Sequence, residues 1–289
     1  MKFIPNQLIL TDKIFVLLRD LIHAHGGIYY TDHQKDILAD KLGVRVIERG
    51  FDSFWDYYYY LKYDSNTSEE WENVMDALAV SETFFNREYD QIKSIAELFV
   101  PQYFDKENTL KLWGESSGRS LRIWCAACAT GEEPLSIAMA LNENGWFDRA
   151  PISIYGTDAS TAAVNKAKMG IYGQRSFRNF PAELQHKYFI QEAEGLWRVV
   201  PELHSRIHWG TVNLRAPSEI ELLASSPIIF CRNVFIYFSD EAIRETVGIF
   251  AKFMPSPAYL FVAASESLLR LTTDFDLQQI GGAFVYVKR

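Results

Sequence analysis

Cysteine, positive charge and long apolar runs are all scarce in this chain of 289 residues, and each scarcity removes a class of protein. Three cysteines, Cys125, Cys128 and Cys231, cannot make a disulfide framework, and their odd number points to a reducing compartment. Lys+Arg 29 against Asp+Glu 37 gives a net charge of -8, so no global positive field draws in polyanions and a general nucleic-acid binder is excluded. Asn6, Gln7, Asp12 and Lys13 interrupt the opening residues before a signal-peptide core or spanning helix could form, so the chain reads as cytoplasmic, with no membrane insertion. The sequon Asn66-Thr67-Ser68 then has no glycosylating context. No G-x-G-x-x-G supports a dinucleotide, and no Ser-His-Asp or Cys-His constellation supports a nucleophilic mechanism. Cys125 and Cys128 form a C-x-x-C without a second pair, and His23 and His25 fall on different helix faces, so no metal is expected.

What remains is a globular composition, 48% hydrophobic and 23% charged, in a length that suits one large α/β domain or about 200 residues with a smaller companion. Residues 12 to 80 carry helical periodicity. Ile14, Leu17, Leu18, Leu21 and Ile22 share one face, Ile37, Leu38 and Leu42 another, and Gly26-Gly27 breaks the pattern. Ser68, followed by Glu69 and Glu70, marks a helix start. The aromatic run F-W-D-Y-Y-Y-Y-L-K-Y (54 to 63) is expected to pack this bundle against the rest of the chain.

From about residue 120, short β-rich runs alternate with helical ones: LRIWCAA, ISIYGTD, IHWGTVN, PIIFCRNVFIYF and YLFVAAS are the expected strands. That alternation predicts an α/β fold with a doubly wound, mostly parallel sheet. DFDLQQI and AFVYVKR, separated by Gly281-Gly282, predict a closing antiparallel hairpin.

Ligands of such a sheet sit beyond the carboxyl ends of the strands. There the chain offers the Gly131 turn, the strand-end acid Asp158 and, in the run 227 to 238, Arg232, Asn233 and Tyr237 among apolar residues. Asp158 reads equally as a partner for ribose hydroxyls or as a helix cap. The Gly turn and the acid together favour an adenosine-type ligand.

The strings S-E-T-F-F-N-R-E (81 to 88), A-A-C-A-T-G-E-E-P (126 to 134), G-T-D (156 to 158), G-I-Y (170 to 172), V-N-L (212 to 214), C-R-N-V-F-I-Y-F (231 to 238) and S-E-S (265 to 267) occur in the order seen in the CheR family of chemotaxis-receptor methyltransferases, which the chain resembles over nearly its whole length. The resemblance implies a class I methyltransferase with a seven-stranded sheet at 81 to 289, a helical domain at 1 to 80 and a small antiparallel β insertion at about 189 to 205. It implies S-adenosylmethionine as cofactor, S-adenosylhomocysteine as product, and methylation of glutamates on the cytoplasmic domain of a methyl-accepting receptor or a similar acidic helical protein. The alternatives within reach are a methyltransferase for another carboxylate and a non-catalytic cofactor-binding regulator.

By the same resemblance Ser81, Thr83, Arg87, Gly131, Glu133, Asp158, Asn213, Leu214, Asn233 and Val234 contact the cofactor, and Arg87 and Tyr237 are catalytic. Thr83 and Arg87, four apart, are expected on one helical face. An asparagine side chain or strand-end amide is expected to bracket the adenine edge. The family usually has Asn where this chain has Ser81 and Phe where it has Asn86. Its often basic docking helix is neutral here: over residues 31 to 50, Lys35, Lys41, Arg45 and Arg49 offset Asp32, Asp36, Asp40 and Glu48. The fourfold spacing of Lys41, Arg45 and Arg49 could still gather a basic stripe.

Overall fold

The structure is a computed structural model that describes residues 8–105 and 120–288. Four helices come first: α1 (Asp12–Gly26), α2 (Lys35–Glu48), α3 (Phe54–Tyr63) and α4 (Ser68–Leu78). Phe15, Leu18 and Ile22 of α1, Leu38 and Leu42 of α2, and Val74 and Leu78 of α4 interleave in one core, as the 3.6-residue periodicity requires. Gly27 ends α1 with φ 77°, and a Cβ there would lie 2.8 Å from the Phe238 ring, so this turn needs glycine both for its backbone and for the approach of a distant loop.

The aromatic run behaves differently from expectation. Ser53 caps α3, and Phe54, Tyr57, Tyr58 and Leu61 sink into the bundle's own core instead of bridging to the sheet. Trp55, Tyr59 and Tyr63 point to solvent. The possible basic stripe on α2 turns inward as well. Glu70 of α4 is fully buried and receives Arg45 at 2.7 Å, Arg49 at 2.8 Å and the Tyr57 hydroxyl at 2.6 Å, while Lys41 donates to Leu78 O. Burial, reinforced by Glu70, pushes the Tyr57 phenol up, which keeps it a donor.

Residues 79–88 form an irregular connection to α5 (Tyr89–Ser94), a π-helical stretch (Ile95–Phe99) and α6 (Val100–Phe104). The sheet then builds by alternation: β1 (Leu121–Ala126), α7 (Glu132–Glu143), α8 (Trp146–Arg149), β2 (Ile152–Asp158), α9 (Thr161–Met169), β3 (Ile171–Gly173), α10 (Ala182–Tyr188), β4 (Phe189–Ala193), β5 (Leu196–Val199), α11 (Pro201–His204), β6 (Ile207–Thr211), α12 (Pro217–Ala224), β7 (Ile228–Cys231), α13 (Asp240–Phe253), β8 (Ala258–Phe261), β9 (Asp276–Ile280) and β10 (Ala283–Lys288).

Seven strands lie in the order β6-β2-β1-β7-β8-β10-β9, with β6 to β8 parallel and β10 antiparallel to both neighbours. This is the mostly parallel, doubly wound sheet expected, closed by the Gly281-Gly282 hairpin. Helices cover both faces, so β1 and β7 are apolar almost throughout. The chain switches direction of winding between β1 and β7, which places the ligand crevice beyond their carboxyl ends. β3, β5 and β4 form a separate three-stranded antiparallel sheet; it recruits residues 171–173, well before the expected start at about 189. The run 227 to 238 is not one long strand. Its strand stops at Cys231, and Arg232, Asn233 and Tyr237 lie on the turn that follows.

Candidate active site

The loop after β1 alternates strained and ordinary residues: Ala127 at φ 59°, Ala129 at φ 48° and Gly131 at φ 93°. A non-glycine residue held there costs about 1–3 kcal/mol and needs outside support. β2 supplies it. The Cys128 N–H donates to Thr157 O at 2.8 Å, and the Ala129 N–H to the Asp158 carboxylate at 2.8 Å. The other Asp158 oxygen accepts from the Ser160 N–H at 2.9 Å, at the start of α9. Burial raises the Asp158 pKa and these amides oppose it. The strand-end acid therefore braces two loops, and Ser160 rather than Asp158 is the side-chain cap of α9. Gly131 serves helix–sheet packing: a Cβ would meet the Trp209 ring at 2.8 Å and Ala167 at 2.9 Å.

Glu133, in the first turn of α7, is raised by burial and lowered in turn by Arg232, whose guanidinium lies 3.1 Å away. Arg232 is almost fully enclosed and also donates to Arg87 O at 2.7 Å, with Glu88 at 3.4 Å. It thus ties the β7 end to the segment 81–88. That segment is not helical, so Thr83 and Arg87 do not share a helix face. It is a turn anchored by Phe85, which is buried among Tyr172, Phe177, Phe180 and Phe189. Asn86 takes φ 60°, a conformation asparagine tolerates better than phenylalanine, so this departure from the family suits the local backbone. The Arg87 guanidinium donates to Glu82 O at 2.9 Å.

The third element is the turn after β7. Asn233 stands at φ 58°, and the Glu266 carboxylate accepts the N–H groups of Asn233, Val234, Phe235, Ile236 and Ala263 at 2.8 to 3.3 Å. Tyr237 follows, partly exposed, with its carbonyl accepting the Tyr29 N–H at 2.9 Å. Ile28 pairs with Phe238, and His23 bonds Ser239 at 2.7 Å. Asn213 is held in place through its amide: its NH2 donates to His25 O at 2.7 Å and its oxygen accepts the Arg215 N–H.

Together these parts enclose a cleft of about 430 Å³ joined to a recess of about 50 Å³. Ser81, Asp158, Asn213, Leu214, Asn233, Val234 and Tyr237 line the cleft; Thr83, Arg87 and Glu133 line the recess; Gly131 lines neither. Ala127, Ala129 and Asn233 belong to both. The opposite wall comes from the helical bundle through Tyr29, Tyr30, Gln34 and Lys41; the sequence marked only Lys41, and as part of a docking stripe, not of this wall. Burial pushes the Tyr30 phenol up to about 12 and lowers the Lys41 ammonium. Glu266 was legible only as part of S-E-S, with no role attached. Among the described residues no group of three His, Cys, Asp or Glu could hold a metal, and all three cysteines are buried and free.

The description "CheR methyltransferase, SAM binding domain" matches residues 81–283, and "CheR methyltransferase, all-alpha domain" matches 13–79. The chain belongs to the CheR methyltransferase family. Chemotaxis protein methyltransferase 2 of Vibrio cholerae is 30% identical over 285 residues, covering 98% of this chain and 95% of that protein. The chemotaxis protein methyltransferase of Salmonella typhimurium is 30% identical over 276 residues, covering 94% and 90%. This CheR-family chain is an S-adenosylmethionine-dependent methyltransferase, and its site fits the cofactor. The cleft has the volume of a nucleoside-sized ligand, Ala127, Ala129 and the desolvated Asp158 carboxylate are among its lining, and a guanidinium and a buried acid stand in the adjoining recess.

Proposed function

We propose that this CheR-family enzyme methylates glutamate side chains on the cytoplasmic part of a chemotaxis-type receptor, with residues 81–289 as the catalytic unit and 1–80 as the helical one. The reading rests on one arrangement: Arg87 in the recess and Tyr237 in the cleft flank a shared floor of Ala127, Ala129 and Asn233. Asp158 would hold the ribose, Asn213, Leu214, Asn233 and Val234 would line the adenine end, and Ser81, Thr83 and Glu133 would hold the amino-acid end.

When bound, the cofactor supplies a methyl group on a positively charged sulfur. A glutamate acceptor, with an ordinary pKa of about 4.3, is already a nucleophile near neutral pH, so no general base is needed. One carboxylate oxygen gains the O–CH3 bond as the S–CH3 pair stays on sulfur, and S-adenosylhomocysteine and a methyl ester leave. Arg87 holds the acceptor's charge, Tyr237 donates to its second oxygen, and the wall of Tyr29, Tyr30 and Lys41 keeps water away.

Transfer of labelled methyl from S-adenosylmethionine to receptor fragments, with base-labile release as methanol, tests the assignment. Tyr237→Phe is expected to lower kcat about 10- to 100-fold, the range for one hydrogen bond to a charged group, while calorimetry shows unchanged cofactor affinity. No labelled ester on any receptor fragment sinks the substrate reading, and full activity of Tyr237→Phe removes the tyrosine from it.

A further inference from the structure

The helical bundle brings to the cleft a polar group that the protein leaves unused. Tyr30 belongs to the bundle core, is only 6% exposed, and lines the cleft of about 430 Å³. Its hydroxyl has no hydrogen-bond partner among the described residues, yet it is not one of the polar atoms sealed away from solvent, so the access it retains is to the cleft. Burial, which pushes the phenol up to about 12, keeps it a donor near neutral pH. An enclosed hydroxyl without a partner costs free energy that a ligand's acceptor atom would recover. The same wall holds further donors in surplus. Gln34 gives its oxygen to the Thr31 N–H at 2.8 Å and the Thr31 hydroxyl at 3.1 Å and keeps its NH2, and Lys41 donates once, to Leu78 O at 2.7 Å. Across the cleft stands the Asp158 carboxylate, an acceptor. A nucleoside suits such a pair of walls, because its ribose hydroxyls donate while its ring nitrogens and sugar oxygens accept.

We propose that the Tyr30 hydroxyl is a cofactor contact supplied by the helical bundle, donating to an acceptor atom of the nucleoside; the inference rests on the placement of the ribose at Asp158 given above. The amino-acid end is not its partner, since Thr83, Arg87 and Glu133 line the recess and Tyr30 does not. Nor is the methyl acceptor, whose proposed partner Tyr237 is 36% exposed where Tyr30 lies deeper. The cofactor then bonds both units of the chain at once.

The test measures binding without turnover, on the full chain and its Tyr30→Phe variant, which keeps the ring and removes only the hydroxyl. Calorimetry follows S-adenosylhomocysteine directly and methylthioadenosine, which has the nucleoside but no amino-acid end, by displacement. Tyr30→Phe is expected to weaken both ligands by the same factor, about 3- to 10-fold, the worth of one neutral hydrogen bond. The ligand-free Tm should stay level or rise, because the lost hydroxyl had no partner there. Unchanged affinity for both ligands, a loss confined to S-adenosylhomocysteine, or a fall in the ligand-free Tm overturns the proposal. Asp158→Ala separates the two levels of failure. If it weakens both ligands while Tyr30→Phe does not, the tyrosine assignment alone is wrong; if it weakens neither, the ribose placement fails and the inference with it. The acceptor protein takes no part in this readout, so failure of the receptor reading would appear separately, as missing labelled ester.

Discussion

Glu266 decides the shape of the turn that presents Asn233 and Tyr237, because five backbone N–H groups converge on its two oxygens. In Glu266→Gln one oxygen becomes a donor set against at least two of those N–H groups. We expect a loss of at least ~2 kcal/mol in urea unfolding, the scale of hydrogen bonds to a charged group, and a fall in turnover larger than the fall in cofactor affinity. Nothing local in the sequence could mark this residue, since four of its donors lie 30 to 33 positions upstream. Glu132 gives a pH test. Burial raises its pKa, while Thr130 and Ser176 donate to it. A raised carboxylate costs stability fully above its folded pKa and nothing below its unfolded one. Glu132→Gln, whose amide the two hydroxyls can serve by rotating, should raise Tm at neutral pH, and the gain should vanish towards about pH 4, as seen by calorimetry across pH.

The helices and strands that could be read from the sequence are those whose cause is local periodicity: the bundle helices other than α3, the alternating β and α units and the closing hairpin. Where the cause is remote the reading fails. Lys41, Arg45 and Arg49 do share a helix face, but Glu70 on α4 determines that it turns inward. The segment 227–238 has a continuous apolar pattern, yet the Glu266 cage ends its strand at Cys231. Thr83 and Arg87 have helical spacing, yet Phe85 and Arg232 hold the chain in a turn. The Glu70 cluster carries its own test. Glu70→Ala leaves two guanidinium groups and a phenol without their shared partner and should cost about 3–5 kcal/mol, as loss of half a buried ion pair does, by urea unfolding monitored at 222 nm. Arg45→Glu should unfold the bundle for the same reason, so lost activity in that variant does not locate a receptor dock.

At the level of the molecule, the mostly parallel, doubly wound sheet and the position of the crevice followed from alternation, whereas the bundle's share in the cleft did not. That wall is made by contacts between residues as far apart as His23 and Ser239, 216 positions, and His25 and Asn213, 188 positions. Asp76 of α4 is the most direct link: its carboxylate accepts from Ser160 Oγ at 2.6 Å and from the Ala162 N–H at 3.0 Å, beside Asp158. Asp76→Ala should therefore weaken cofactor binding about 5- to 10-fold through a loosened α9 start, measured by calorimetry, although the residue touches no proposed ligand group. Unchanged affinity would leave the bundle a passive cover. The Ile28–Phe238 pairing also bears on how such enzymes can be recombined. A chimera joined near residue 79 looks safe by sequence, yet it would pair one parent's Gly27 turn with the other's Phe238 ring, a fit in which a single added methyl group has no room. Exchange of the first helices between relatives should succeed only when residues 237–239 travel with them.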